Sequence, residues 1–111
     1  MKKKREVVIQ PKVFQDAEEI YNYIKGNSIQ NAESFRSELI KEIEKIEANP
    51  EAFPPEVYLN SRQIHYRFSL VMKSWKLIFK LTNKLLIILG LIHTSRNPKE
   101  IGKLRSRSLD E

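Results

Sequence analysis

Trp75-Lys76-Leu77-Ile78-Phe79-Lys80-Leu81-Thr82-Asn83-Lys84-Leu85-Leu86-Ile87-Ile88-Leu89-Gly90-Leu91-Ile92 decides the fold. Its first half alternates: Trp75, Leu77, Phe79 and Leu81 share one parity, and Lys76, Ile78, Lys80 and Thr82 share the other. That period of two is a strand with one face on a core. The second half, Leu85–Ile92, is apolar at both parities, as in a strand covered on both faces. Between them Asn83-Lys84 makes a two-residue hairpin turn. Upstream, Tyr66, Phe68, Leu70 and Met72 alternate with His65, Arg67, Ser69 and Val71 in a third strand. A two-residue turn at Lys73-Ser74 would join it to the second strand, although neither residue has the preference of Gly or Asn for positive φ. This register places Trp75 opposite Met72 and Ile92, Leu77 opposite Leu70 and Gly90, and Phe79 opposite Phe68 and Ile88. That makes one all-apolar face, in which Gly90 leaves room beside the Trp75 ring. The other face then aligns Arg67 with Lys80, Val71 with Lys76 and His65 with Thr82.

Ahead of the hairpins the period is helical. Glu6–Gln10 reads as a short strand stopped by Pro11. Val13, Ala17, Ile20, Tyr21 and Ile24 form an apolar stripe that ends at Gly26-Asn27. Asn27 or Ser28 caps a second helix bearing Ala32, Phe35, Leu39, Ile43 and Ile46, which stops at Ala48-Asn49-Pro50. Glu38 and Glu42 take solvent positions on it. Asn49–Ser61, with Pro50, Pro54 and Pro55, is a loop. The expected architecture is α+β, in the order β-α-α-β-β-β, with a helical hairpin packed on a curved antiparallel sheet. All 111 residues form one domain, with 1–5 and 105–111 as flexible tails.

Composition excludes several chemistries. The chain has no cysteine, hence neither disulfides nor a Cys-ligated metal, and two histidines without HExxH-type spacing argue against a His-based site. No apolar stretch follows the basic start Lys2-Lys3-Lys4-Arg5, so neither secretion nor membrane insertion is expected and the cytoplasm is the default. No Gly-rich phosphate loop is present, and His65 and His93 join no recognisable nucleophilic triad. No cofactor is expected. Charge is unevenly spread: residues 12–56 sum to −5, whereas 57–111 sum to +8. Such a basic half suits phosphate or an acidic protein. Arg67, Lys76, Lys80, His93 and Arg96 are the candidate site residues on that half. The alternative is lysine stems lying over the sheet with their charges in water. Beside the lysines, Ile78, Ile87, Leu89 and Leu91 make an apolar strip, which either the segment Pro98–Leu104 or a separate chain must cover.

The order Val7-Val8-Ile9, Ala17-Glu18-Glu19-Ile20-Tyr21-Asn22-Tyr23-Ile24, Ser28 with Ala32 and Phe35 resembles the RelE/ParE toxin superfamily. So do Ser74–Lys80 and Ile88-Leu89-Gly90-Leu91-Ile92-His93-Thr94-Ser95-Arg96-Asn97-Pro98, and the resemblance spans about residues 6 to 101. It implies a small basic cytoplasmic toxin in a hetero-oligomer with its antitoxin. The partner's acidic, amphipathic segment would bind Ile78, Ile87, Leu89 and Leu91. RelE-type members cut ribosome-bound mRNA without a metal, using Arg and Lys on the transition-state charge and a Tyr or His for proton transfer. Arg67, Lys76, Lys80, His93 and Arg96 would supply that set. The segment Asn97–Ile101, however, lacks the tyrosine common there. His93-Thr94-Ser95-Arg96-Asn97 is closer to the His-x-x-Arg-Asp ending of ParE-type members, which poison DNA gyrase. A non-toxic nucleic-acid or protein-binding module using the same basic sheet is the alternative from another class.

Overall fold

A computed structural model describes residues 5–59 and 65–107. The parts of the expected tails at 1–4 and 108–111, and the end of the proline-rich loop at 60–64, lie outside the described residues. The elements are β1 (Glu6–Ile9), α1 (Pro11–Lys25), α2 (Ile29–Ala48), β2 (Tyr66–Val71), β3 (Trp75–Leu81), β4 (Leu85–His93) and α3 (Pro98–Gly102). Two 3₁₀ turns, Pro50–Ala52 and Lys103–Arg107, complete them. Pro11 occupies the start of α1, where its missing N–H costs nothing. Ser28 caps α2, its Oγ accepting from the Asn31 N–H at 3.1 Å. The α+β class and element order are as expected, and α3 is an addition.

The sheet runs β1-β4-β3-β2. It is mixed, not wholly antiparallel, because β1 joins the edge of β4 in parallel. The Asn83-Lys84 turn holds, with Leu81 paired to Leu86 and the Thr82 Oγ accepting from the Leu85 N–H at 2.9 Å. The first hairpin differs by one residue. Val71 pairs with Trp75 and Arg67 with Phe79, so Met72, Lys73 and Ser74 all lie outside the ladder. Met72 and Lys73 adopt φ of 52° and 62°. The left-handed region costs non-glycine residues on the order of 1–2 kcal/mol each, which the packing of both hairpin strands offsets. A second departure is a bulge in β4. Phe79 pairs with Ile88 as expected, but Ile78 pairs with Gly90, leaving Leu89 without a partner.

These two shifts reassign the faces. Toward the helices lie Val71, Leu77, Phe79, Leu81, Leu86, Ile88 and, past the bulge, Leu91, packed with Val13, Ile20, Phe35 and Ile46. Tyr66 and Phe68 move to the opposite face, with Ile78, Ile87 and Leu89. Ile101 and Leu104 of the C-terminal segment close this second core. Ile78, Ile87 and Leu89 are fully buried there, each contributing about 1.5–3 kcal/mol.

Each helix sends one carboxylate to the sheet. Glu42, expected at a solvent position, is buried, and its Oε1 accepts from the Ser69 hydroxyl of β2. Asp16 meets β4 at the bulge. Beyond the last β1 residue, the Leu91 N–H donates to Asp16 Oδ2 at 3.4 Å, and the Leu89 carbonyl accepts from Arg107 Nη1 at 3.1 Å. Asp16 and Arg107 pair with each other at 2.7 Å. Gly90 makes that crossing possible, since a Cβ there would lie 2.6 Å from Arg107 Nη1; Gly90 pairs with Ile78, and its nearest side chains are Arg107, Leu104 and Asp16 in place of the expected Trp75. Arg105 also donates to the Leu59 carbonyl at 3.1 Å, and Arg5 Nε to the Thr82 carbonyl at 2.7 Å. The side chains of Arg5, Arg105 and Arg107 thus each bond to the body of the fold.

Arg107→Ala leaves the Asp16 carboxylate and the Leu89 carbonyl without their cation, and should lower unfolding stability by about 1–3 kcal/mol in a denaturant titration. Gly90→Ala meets the same guanidinium most closely, with Leu104 Cδ2 at 3.0 Å and Asp16 Oδ2 at 3.2 Å behind it, so it should cost less in the Arg107→Ala background than alone.

Between the helices, the Tyr21 hydroxyl donates to Glu33 Oε2, and the Arg36 guanidinium stacks 4.3 Å from the Tyr21 ring. The hydrogen bond to Glu33 raises the Tyr21 pKa above the ordinary 10.0, because ionisation would set a phenolate against a carboxylate. The clasp's contribution is complete below about pH 10 and is lost as pH rises through the folded value. Absorbance titration should lose a tyrosine component that titrates above the ordinary 10.0 in Tyr21→Phe.

Candidate functional site

A concave feature lies where α1 meets the start of β3 and the end of β4. A groove of about 1000 Å³ is bounded by Ile20, Tyr23 and Ile24 of α1, Met72 and Trp75 of the first hairpin, and His93 and Arg96 after β4. It continues past Trp75, His93 and Arg96 into a recess of about 420 Å³ that reaches Asp16, Lys103 and Arg107. The apolar and aromatic wall is matched by polar groups that include the carboxylates Glu19 and Glu100, so the groove is of mixed character.

A tight turn sets His93 and Arg96 at the rim. The Arg96 N–H donates to the His93 carbonyl at 3.0 Å, and the Thr94 N–H donates to the Ser74 carbonyl at 2.9 Å, tying the turn to the first hairpin. Asn97 then caps α3, accepting from the Lys99 N–H at 2.9 Å. The His93 ring stands edge-on to Trp75, with centroids 4.9 Å apart. Its Nδ1 accepts from the Ser95 N–H at 3.1 Å and lies 2.7 Å from the Ser95 hydroxyl. A backbone N–H can only donate, so Nδ1 is the lone-pair nitrogen and the neutral ring carries its proton on Nε2. Among the described residues the Arg96 guanidinium has no ion-pair partner.

The other three candidates lie elsewhere. Arg67 is on the helix-facing side of β2, and its Nη1 donates to the Phe53 carbonyl at 2.6 Å and the Glu51 carbonyl at 3.3 Å. Lys76 and Lys80 are on the opposite side of the sheet. Lys76 Nζ is 2.9 Å from Oε1 of the fully buried Glu56 and 4.4 Å from the Phe68 ring centroid. Lys80 Nζ is 5.7 Å from the Tyr66 ring centroid. Like-charge opposition of Arg67 and Lys80 disappears with the shifted register, and each lysine lies over an aromatic face instead. Of the five, His93 and Arg96 line this groove, and Arg67, Lys76 and Lys80 do not.

The apolar strip is likewise divided. Ile78, Ile87 and Leu89 lie under the chain's own Ile101 and Leu104, and the bulge turns Leu91 into the helix-facing core. Glu56, which neutralises Lys76, carried no signal in the sequence beyond its place in a proline-rich loop. Asp16 did carry one, because it falls between Val13 and Ile20 on the apolar stripe of α1. Nitrogen-15 NMR of the histidine side chains should show a protonated Nε2 and a bare Nδ1 for His93 in its neutral form; a proton on Nδ1 would contradict the Ser95 geometry.

Comparison with known proteins agrees with this architecture. Among solved structures, the chain is similar to the YoeB dimer from Staphylococcus aureus, with 14% identity over 79% of this chain and 94% of that one and a TM-score of 0.50. It also matches YafQ from E. coli strain BL21(DE3), with 24% identity over 82% and 94% of the two chains and a TM-score of 0.47. The likeness to YoeB concerns the fold alone. No curated protein matches. A family model described as the ParE toxin of the type II toxin–antitoxin system parDE matches residues 7–98. That match runs from β1 through the His93–Asn97 turn to the first residue of α3, and the chain belongs to the ParE toxin family of type II toxin–antitoxin systems.

Proposed function

We propose that the chain is a toxin whose target is DNA gyrase and whose action is not mRNA cleavage. The observation that carries this is the division of Arg67, Lys76, Lys80, His93 and Arg96 among separate places. A ribonuclease acting without a metal must gather its cations around one phosphate, where they meet the charge that develops in the transition state. Here Arg67 is spent on loop carbonyls, Lys76 on Glu56, and both lysines are across the sheet from Arg67. Asn97–Ile101 also has no tyrosine to move a proton. Membership of the ParE family supports the same target. No metal or cofactor enters the proposal.

Poisoning a topoisomerase asks for a docking surface in place of a catalytic constellation. The groove at His93, with Tyr23, Met72 and Trp75 as its apolar wall and Arg96 at the rim without an ion-pair partner among the described residues, has the make-up of one. The same pair, His93 and Arg96, favours the second reading, a ribosome-dependent nuclease, because they are the two candidates that do share a cleft.

Expression of the chain alone should arrest bacterial growth, and co-expression of an adjacently encoded antitoxin should restore it. Arrested cells should contain broken DNA and an induced DNA-damage response, with mRNA intact. Transcripts cut within codons, and spared in a His93→Ala variant, would transfer the chain to the nuclease reading with His93 as its proton-transfer group. In that case Arg96→Ala should slow cleavage by roughly 10²–10³-fold.

A further inference from the structure

One nitrogen of His93 receives two groups of Ser95. The Ser95 N–H lies 3.1 Å from Nδ1, and the Ser95 Oγ lies 2.7 Å from it. Nδ1 carries the lone pair of the neutral ring, and two lone pairs at that distance would repel, so the hydroxyl donates as well. The imidazole thereby closes the turn from Ser95 back onto the end of β4. Two backbone bonds hold the rest of the turn: the Thr94 N–H donates to the Ser74 carbonyl at 2.9 Å, and the Arg96 N–H to the His93 carbonyl at 3.0 Å. The ring stands edge-on to Trp75 with centroids 4.9 Å apart, and swinging it out of reach of Ser95 would give up that contact.

A proton on Nδ1 reverses this arrangement. Imidazolium presents an N–H at both nitrogens and accepts nothing. The Ser95 hydroxyl can rotate and accept from the new Nδ1–H, because a hydroxyl has lone pairs as well as a donor. The Ser95 backbone N–H has no such freedom. It is left facing another N–H, and the bond that closes the turn is lost. Charge changes at the same step. His93 lines both the groove and the recess behind it. The ionisable groups on those walls are Asp16, Glu19 and Tyr23 of α1, Arg96 of the turn, Glu100 of α3, and Lys103 and Arg107 of the following 3₁₀ turn. From α2 comes only Asn31, and from the first hairpin only Met72, Ser74 and Trp75, all uncharged. Asp16 pairs with Arg107 at 2.7 Å and Glu100 with Lys103 at 3.1 Å. Glu19 and Arg96 have no ion-pair partner among the described residues. A neutral ring therefore leaves one such carboxylate and one such cation, and a protonated ring adds a second cation beside Arg96.

We propose that His93 and Ser95 form a proton-operated clasp on the groove, closed when the ring is neutral and open when it is protonated. Closed, the turn sets Arg96 beside the wall of Tyr23, Met72 and Trp75. Open, the Ser95 N–H is unbonded, the turn leading into Arg96 loosens, and the groove gains a positive charge, so docking weakens. The effect on docking rests on the groove being the surface that meets the toxin's target. The clasp itself rests on the His93–Ser95 geometry alone.

The test is an NMR titration of the full-length chain. The His93 ring nitrogens report its protonation, and the Ser95 amide is followed as a protection factor, so that the intrinsic pH dependence of exchange cancels. Protection at Ser95 should fall by about threefold or more as His93 takes up its proton, while amides within β3 keep theirs. His93→Phe keeps a ring against Trp75 but takes no proton, and should show the low Ser95 protection at every pH. Should that variant not fold, the titration of the unmodified chain decides. Ser95 protection that stays constant while His93 titrates overturns the clasp. Binding to DNA gyrase, measured on either side of the His93 titration, should weaken by about threefold or more on protonation and lose that dependence in folded His93→Phe. Equal binding by the unmodified chain on both sides overturns control of docking by the clasp. Absence of gyrase binding at any pH overturns the target proposed above and not the clasp, which the Ser95 amide decides.

Discussion

The ion pair between Asp16 and Arg107 crosses β4 at the one position, Gly90, where no side chain stands in its way. Three parts of the molecule meet there: α1, the central strand at its bulge, and the C-terminal segment. A bulge frees backbone groups that the ladder would otherwise pair, and leaving them buried and unpaired would cost on the order of 1–3 kcal/mol each. Asp16 accepts from one of these groups and Arg107 donates to another. The pair thereby settles the bulge and pins the segment that carries Ile101 and Leu104 across the second core. Without that anchor Ile78, Ile87 and Leu89 would face water, and the sheet would have one core where it now has two.

The second core changes the meaning of the basic half of the chain. Lysines at alternating positions of β3 look like a surface prepared for phosphate. In the folded chain Lys76 reaches a buried carboxylate across an aromatic ring, and Lys80 extends over another ring. Their stems belong to the packing and their charges are partly answered within the protein. Arg96 stands at the groove without an ion-pair partner among the described residues, beside a histidine whose Nδ1 is committed to the Ser95 backbone.

Much of the fold was legible in the order of residues. The helical stripes, Ser28 as cap, the Asn83-Lys84 turn and the element sequence all follow from local pattern, because each depends on neighbours within a few positions. The candidate site was legible at His93 and Arg96, which one short turn places together. It was not legible at Arg67, whose face depends on the length of the first hairpin loop. Nor were Asp16 and Glu42 recognised, although both fall on the apolar stripes of their helices. Carboxylates on such stripes are informative when the opposing surface offers a donor, and here the donors came from remote strands and from the C-terminal segment.

The sequence by itself determined which segments are strands and helices, where charge accumulates, and that an apolar strip beside the lysines must be covered. Only the tertiary structure decided which face each strand residue takes. Strand parity is reversed by a single extra residue, and the local pattern does not say whether that residue is present. Met72-Lys73-Ser74 shows no glycine, yet Met72 and Lys73 take positive φ, and that one-residue shift carries Arg67 to the helices and Phe68 away from them. β4 is apolar at both parities, so its residues fit either face and the bulge at Leu89 left no mark in the hydrophobic pattern. The closing of the strip by Ile101 and Leu104 was decided in the same way, by Arg107 reaching Asp16, its partner 91 residues earlier in the chain.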